Sequence, residues 1–335
     1  MALDHVALIP LTSQEEFTAR LAKEAGDREL LFFIHGFNVQ DKDMVTSTDN
    51  MQTNCDADTP KKVLVVPVDW ACTDPEGLVG KTALKYPLDY YPDQRSSEIA
   101  GKALWELVSS LKKEGPNSQH TLNVIAHSMG NRVLRCMGQE AVKGDKSWNE
   151  EGLQDKSLLQ AAPEDLQGNE NFFQNIFFVS ADIPESVFDE PDGSPNREQA
   201  ERALQSGVAA LAVMTKRMHV LHANGYDNAL AGSTLLNGDA RLGERGPRTG
   251  LQVGLDGVWL KGSPAKVWDK IGDALEKYEG IETDVNKNYN NVYVQDCSGW
   301  NRNIDPNGHS YQYDPKSVAY YLHHLTIDQS MTKGM

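Results

Sequence analysis

Apolar residues in this chain fall into two kinds of run. The first kind is short and dense, with little alternation: "ELLFFIHG" (29–36), "KKVLVVPVDW" (61–70), "TLNVIAHS" (121–128), "NIFFVSAD" (175–182), "MHVLHANG" (218–225) and "NVYVQDC" (291–297). Runs of strand length without alternation suit parallel strands covered on both faces. The second kind has a helical period. "SQEEFTARLAKEAG" opens on a capping box, Ser13 with Glu16. "RSSEIAGKALWELVSSLKKEG" sets Ile99, Ala103, Leu107 and Leu111 on one stripe. Leu204, Val208 and Leu211 repeat that spacing, as do Val267, Ile271, Leu275 and Tyr278. Alternating strands and helices predict an α/β fold: a mostly parallel twisted sheet with helices on both faces. The whole chain, 1–335, reads as one domain. Polar stretches at about 39–60, 72–94, 141–171 and 228–290 are too long for simple connections and are expected to be insertions that form a cap or cleft wall.

Charge narrows the partners. With 48 acidic against 32 basic side chains the formal net charge is −16, which repels phosphate backbones and anionic headgroups. Nucleic acid is therefore not an expected partner. No run approaches the ~20 apolar residues of a spanning helix, so no integral membrane segment is expected. The opening "MALDHVALIPLTSQEEF" has neither a basic n-region nor a long apolar h-region, the marks of a signal peptide. Cys55, Cys72, Cys136 and Cys297 are far apart, without CxxC spacing, and read as thiols of a cytoplasmic protein rather than as a zinc site.

The stretch with chemistry in it is "VIAHSMGNRVLR" (124–135), where a buried strand ends and a helix begins with almost no turn between them. A corner that tight needs small neighbours, and Ala126 and Gly130 flank Ser128 as A-x-S-x-G, a variant of the G-x-S-x-G nucleophile elbow. A serine that merely capped the helix would not need small residues on both sides. The corner lifts its hydroxyl above the carboxyl edge of the sheet, where the dipole of the following helix also points. His127 is expected to point back beneath the elbow.

A serine attacks only if a base takes its proton and donors hold the oxyanion. "FFIHGFN" places His-Gly directly after a strand, so the backbone N–H groups of Phe37 and Met129 are the candidate oxyanion hole. In this architecture the chain order is nucleophile, acid, histidine. His219 and His222 lie in a strand, and His323 and His324 in a terminal helix. His309, in the loop "DPNGHSYQYD", is the candidate base. Asp227, after the strand at 218–225, is the first candidate for the acid, and Asp182, at the end of the preceding strand, is the alternate. Tyr86, Tyr90, Tyr91 and Trp70 are candidates for pocket walls.

Taken in order, "FIHGFN" (33–38), "VPVDW" (66–70), "YPLDYYPD" (86–93), "IAHSMGNRVL" (125–134), "SADIPESVF" (180–188), "DNALAGS" (227–233), "ARLGERG" (240–246) and "GHSY" (308–311) make the chain resemble a bacterial, esterase-like branch of the α/β-hydrolase superfamily, catalogued as a domain of unknown function. The resemblance implies an α/β-hydrolase fold, no cofactor and no metal, Ser128 as nucleophile, His309 as base, and Asp227 or Asp182 as acid. The departures are Ala126 for the elbow's first glycine and Asp69-Trp70 where Trp-Pro is more usual. The expected activity is hydrolysis of a small-molecule carboxylic ester through an acyl-enzyme. Thioester, lysophospholipid and amide cleavage by the same triad are the alternatives, followed by a non-catalytic binding protein that keeps the fold.

Overall fold

Burial with a period of two organises the sheet. Leu30, Phe32 and Ile34 of β1 (Glu29–Ile34) enter one hydrophobic cluster, while Leu31 and Phe33 enter another on the opposite face. The computed structural model of this protein describes residues 14–37, 39, 41–58, 62–72, 85–113, 120–143, 172–188, 207–223, 227–246, 292–297, 309–313 and 315–331. The further strands are β2 (Val63–Val68), β3 (Leu122–His127), β4 (Phe173–Val179), β5 (Thr215–His222) and β6 (Val292–Asp296). All neighbours are parallel, in the order β2-β1-β3-β4-β5-β6. The chain builds outward from β1 to β2, then crosses back to lay β3 on the other side of β1. The carboxyl ends of β1 and β3 therefore flank a topological switch point, where open sheets of this kind bind ligands.

Helices cover both faces. On the first lie α1 (Gln14–Ala25), α3 (Lys85–Lys113), α4 (Gly130–Lys143) and α5 (Val208–Met214); on the second lie α2 (Asp41–Asp58) and α8 (Pro315–Met331). Between β5 and β6 come α6 (Asn228–Asn237) and α7 (Leu242–Arg245). The polar stretch at 39–60 thus holds α2, whose buried stripe is Met44, Thr48, Met51 and Cys55. Part of 72–94 belongs to α3, which starts at Lys85 and runs through Pro92. Pro87 falls in the first turn, where a missing N–H costs nothing, and Pro92 removes one internal bond from a helix of 29 residues. The predicted stripe of α3 needs correction. Ile99 is 69% exposed, and the buried side is Tyr90, Asp93, Ser97, Gly101, Leu104, Val108 and Leu111. Small and polar residues occupy part of that buried side, and Gly101 lies directly against Val133, Cys136 and Met137 of α4, so a count of apolar positions picks the wrong face. Ser13, Leu204 and the helix expected around 267–278 lie outside the described residues, as does most of 141–171.

A row of polar side chains crosses the interior. Asn123 Nδ2 donates to Glu29 Oε2 (3.1 Å), Asn175 Nδ2 donates to Asn123 Oδ1 (2.9 Å), and His219 Nε2 donates to Asn175 Oδ1 (3.3 Å). His219 Nδ1 then accepts from the Tyr320 hydroxyl (3.0 Å), so the neutral imidazole is fully paired. Burial, then the charges of His324 and Arg217, holds the His219 pKa well below its ordinary value. Burial, His323 and Arg217 push His324 down to about 3. Unfolded, both histidines take a proton near pH 6.5; folded, they refuse it, so the unfolded state binds more protons below that pH. Stability is expected to be level above pH 7 and to fall as the pH drops from 6.5, by at most about 1.4 kcal/mol per pH unit per histidine. Urea midpoints between pH 7 and pH 5, where carboxylates titrate little, measure this, and His324→Gln should make the slope shallower.

Candidate active site

Ser128 follows the last residue of β3 with φ of 53°, in the left-handed region that a side chain with a Cβ rarely occupies. The surroundings hold it there. Its N–H donates to Val179 O (3.0 Å), and its carbonyl accepts from the N–H groups of Asp182 (3.1 Å) and Asn131 (3.1 Å). The buried Asn131 side chain reinforces the corner, its Nδ2 lying 2.9 Å from Ala126 O and 3.0 Å from Ser128 O. The two glycines are set by close approach. A Cβ on Gly130 would lie 2.5 Å from His35 O, and one on Gly36 would lie 2.8 Å from the Ser128 Cβ. The loop leaving β1 therefore runs directly against the serine, and its next N–H belongs to Phe37. Met129, fully buried, supplies the N–H that follows the serine at the head of α4.

The histidine and the acid meet. His309 Nδ1 is 2.8 Å from Asp227 Oδ2 and 2.9 Å from Oδ1. Asp227 is also the N-cap of α6, its Oδ1 accepting from Leu230 N–H (3.0 Å). A helix N-terminus thus faces a carboxylate that is 2% exposed. Asp182, the other candidate acid, is held by different partners. Its Oδ2 accepts from the Tyr90 hydroxyl (2.6 Å), and its Oδ1 accepts from Ser233 Oγ and pairs with Arg241 Nε (3.3 Å). Burial and the Asp182 charge raise the Tyr90 pKa, so this hydroxyl stays a donor.

Ser128 and His309 line one cavity of about 300 Å³ at the switch point. Its other walls include His35, Phe37 and Val39 after β1, Asp43 and Ser47 from α2, Leu230 from α6, and Gln312 and Tyr313 beyond the histidine. Three of the aromatic residues expected in the walls, Trp70, Tyr90 and Tyr91, are elsewhere. Trp70 stacks on His35 with ring centres 5.4 Å apart and donates from Nε1 to His35 O (2.9 Å). Tyr90 is consumed by the Asp182 network, Tyr91 is half exposed and bonds Leu236 O, and the Tyr86 side chain lies outside the described residues. Asp69, the departure noted in the sequence, lies with Oδ1 3.2 Å from His35 Nε2, a contact that bridges the end of β1 to the end of β2. His127 also corrects its expectation. Alternation along β3 sends Ala126 to the α4 side and His127 to the other, where it lines the cavity and reaches His309 O with Nε2 (3.2 Å). Among the described residues no group of His, Cys, Asp and Glu side chains could hold a metal ion, and no helix is long and apolar enough to cross a membrane.

A parallel sheet whose third strand ends on a strained serine at the mouth of a helix, with a His–Asp pair at the same edge, defines the α/β-hydrolase class. The chain belongs to the family of alpha/beta hydrolases of unknown function (DUF900), whose family model matches residues 10–258. Ser128 and Asp227 fall inside the matched segment and His309 beyond it. No curated protein and no solved structure gives a match.

Proposed function

We propose that this hydrolase is a serine esterase that cleaves small carboxylic esters through Ser128, His309 and Asp227. The observation that carries the reading is the His309–Asp227 contact, made on the rim of the cavity that Ser128 also lines. His309 Nδ1–H donates to Asp227, which leaves Nε2 as the basic nitrogen. As Ser128 Oγ attacks the ester carbonyl carbon, Nε2 takes the hydroxyl proton and the C=O electrons move to oxygen. The N–H groups of Phe37 and Met129 receive that oxyanion, each contributing on the order of 10²-fold. Collapse of the tetrahedral intermediate breaks the C–O bond, and His309 hands its proton to the departing alcohol. Water, deprotonated by the same imidazole, then releases the acid and restores the serine.

A cavity of about 300 Å³ is at the small end of ligand pockets, which supports short esters over long acyl chains. The net charge of −16 supports neutral or cationic substrates and speaks against nucleic acid. The four cysteines form no disulfide, in keeping with a cytoplasmic setting. Thioesters, lysophospholipids and amides would use the same groups. A fluorophosphonate probe should label Ser128, and a panel of p-nitrophenyl esters should be turned over best at two to four acyl carbons. An unlabelled protein would leave the cavity as a binding site without chemistry; a best rate on long acyl chains would remove the short-ester reading alone.

A further inference from the structure

Ser180 has the second left-handed non-glycine backbone among the described residues, with φ of 44°, immediately after β4. Glycine would sit there without strain, so the serine side chain must return something for the conformational cost. Its Oγ donates to the main-chain carbonyl of His309 (2.9 Å). The same carbonyl is 3.2 Å from His127 Nε2. A carbonyl only accepts, which fixes Nε2–H as the donor on His127. Two residues further on, the Tyr311 hydroxyl accepts from Ser180 N–H (3.0 Å) and donates to Leu221 O (2.7 Å). Ser180 and Tyr311 are fully buried or nearly so, and burial raises the Tyr311 pKa, keeping its proton in place. The segment that bears the histidine is thereby tied to the carboxyl ends of β3, β4 and β5, three strands to which it does not belong.

We infer that Ser180, His127 and Tyr311 form a polar clamp that positions His309, fixing its main chain so that the imidazole is held between Asp227 and the serine. This rests on the esterase reading for its kinetic consequence, though the clamp itself is a statement about His309. None of the three touches the reacting atoms in the scheme above; they are positioning residues. Misplacing a catalytic group by about 1 Å costs up to about 10²-fold in rate.

The test uses Ser180→Gly, which removes the hydroxyl and relieves the backbone at once. The fold should be as stable as wild type or more so, while kcat on a short p-nitrophenyl ester falls about tenfold with KM little changed. The rate of Ser128 labelling by fluorophosphonate should fall in parallel. His127→Ala should behave likewise, and His127→Gln, whose amide can place a donor near the lost Nε2–H, should recover most of the rate. A readout that needs no turnover is the downfield proton line of the Nδ1–H shared by His309 and Asp227, which should broaden by solvent exchange in Ser180→Gly. Wild-type kcat, labelling and line width in Ser180→Gly overturn the clamp. Loss of the line in that variant, with wild-type protein that neither labels nor turns over ester, keeps the clamp and removes the esterase reading.

Discussion

Ser128→Ala is expected to lower turnover of short p-nitrophenyl esters by about 10⁴-fold or more and to abolish fluorophosphonate labelling, with the melting temperature close to wild type. The size follows from what the substitution removes. Without Oγ there is no acyl-enzyme, and only the oxyanion donors and substrate binding remain to accelerate attack by water. The small effect on stability follows from what it keeps. Alanine retains the Cβ that already sits at φ of 53°, and the bonds that Ser128 makes with Val179, Asp182 and Asn131 all run through its main chain. Steady-state kinetics beside thermal melts decide the matter. Turnover surviving in this variant at more than a few per cent would remove Ser128 from the reaction.

Asp227→Asn should cost about as much in kcat while leaving the fold intact, because the two roles of this residue respond differently. Asparagine caps a helix as well as aspartate does, so the bond to Leu230 N–H and the start of α6 survive. Its amide cannot carry a negative charge opposite the imidazolium, and it can turn an N–H towards His309 Nδ1, which favours the wrong tautomer. A drop in kcat of about 10³–10⁴-fold with less than about 1 kcal/mol of destabilisation is the expected pair of results. Asp227→Ala should add the loss of the cap, about 1 kcal/mol in urea or thermal unfolding. Asp182→Asn offers the contrast. It leaves the contact with His309 untouched but weakens the buried pair with Arg241, so its damage should register in stability before catalysis.

The strands were legible because a strand buried on both faces has to be apolar at nearly every position, as "LLFFI" in β1 and "NIFFV" in β4 are. Their ends were less so. The apolar runs continue into His35, Gly36, Ser128 and Ser180, which leave the ladder at its carboxyl edge and build the cavity rim. Helix α2 was hidden because two of its four buried positions are Thr48 and Cys55; α3 was legible as a helix but on the wrong face, because Ser97 and Gly101 lie on its buried side. Chain order and turn chemistry pointed to Ser128, His309 and Asp227, and the fold brings His309 against Asp227 and to the cavity that Ser128 lines. The partners of Asp182 were out of reach, since Tyr90, Ser233 and Arg241 come together only through packing across α3, α6 and α7. Ser180 left no trace at all: a positive φ is a property of the folded backbone, and nothing in "VSADIP" announces it.

The fastening of the His309 segment to strands made much earlier has a consequence for biogenesis. His127 and His309 are 182 residues apart in the chain, and β6 must find β5 before the segment that follows β6 and carries His309 can settle. Contacts so distant along the chain form late, after the loop entropy between them has been overcome. On the ribosome, the elbow and its strand emerge well ahead of the imidazole. On the esterase reading proposed above, a nascent chain would hold its serine dormant through most of synthesis, and reactivity would arrive as a late report that the sheet has closed.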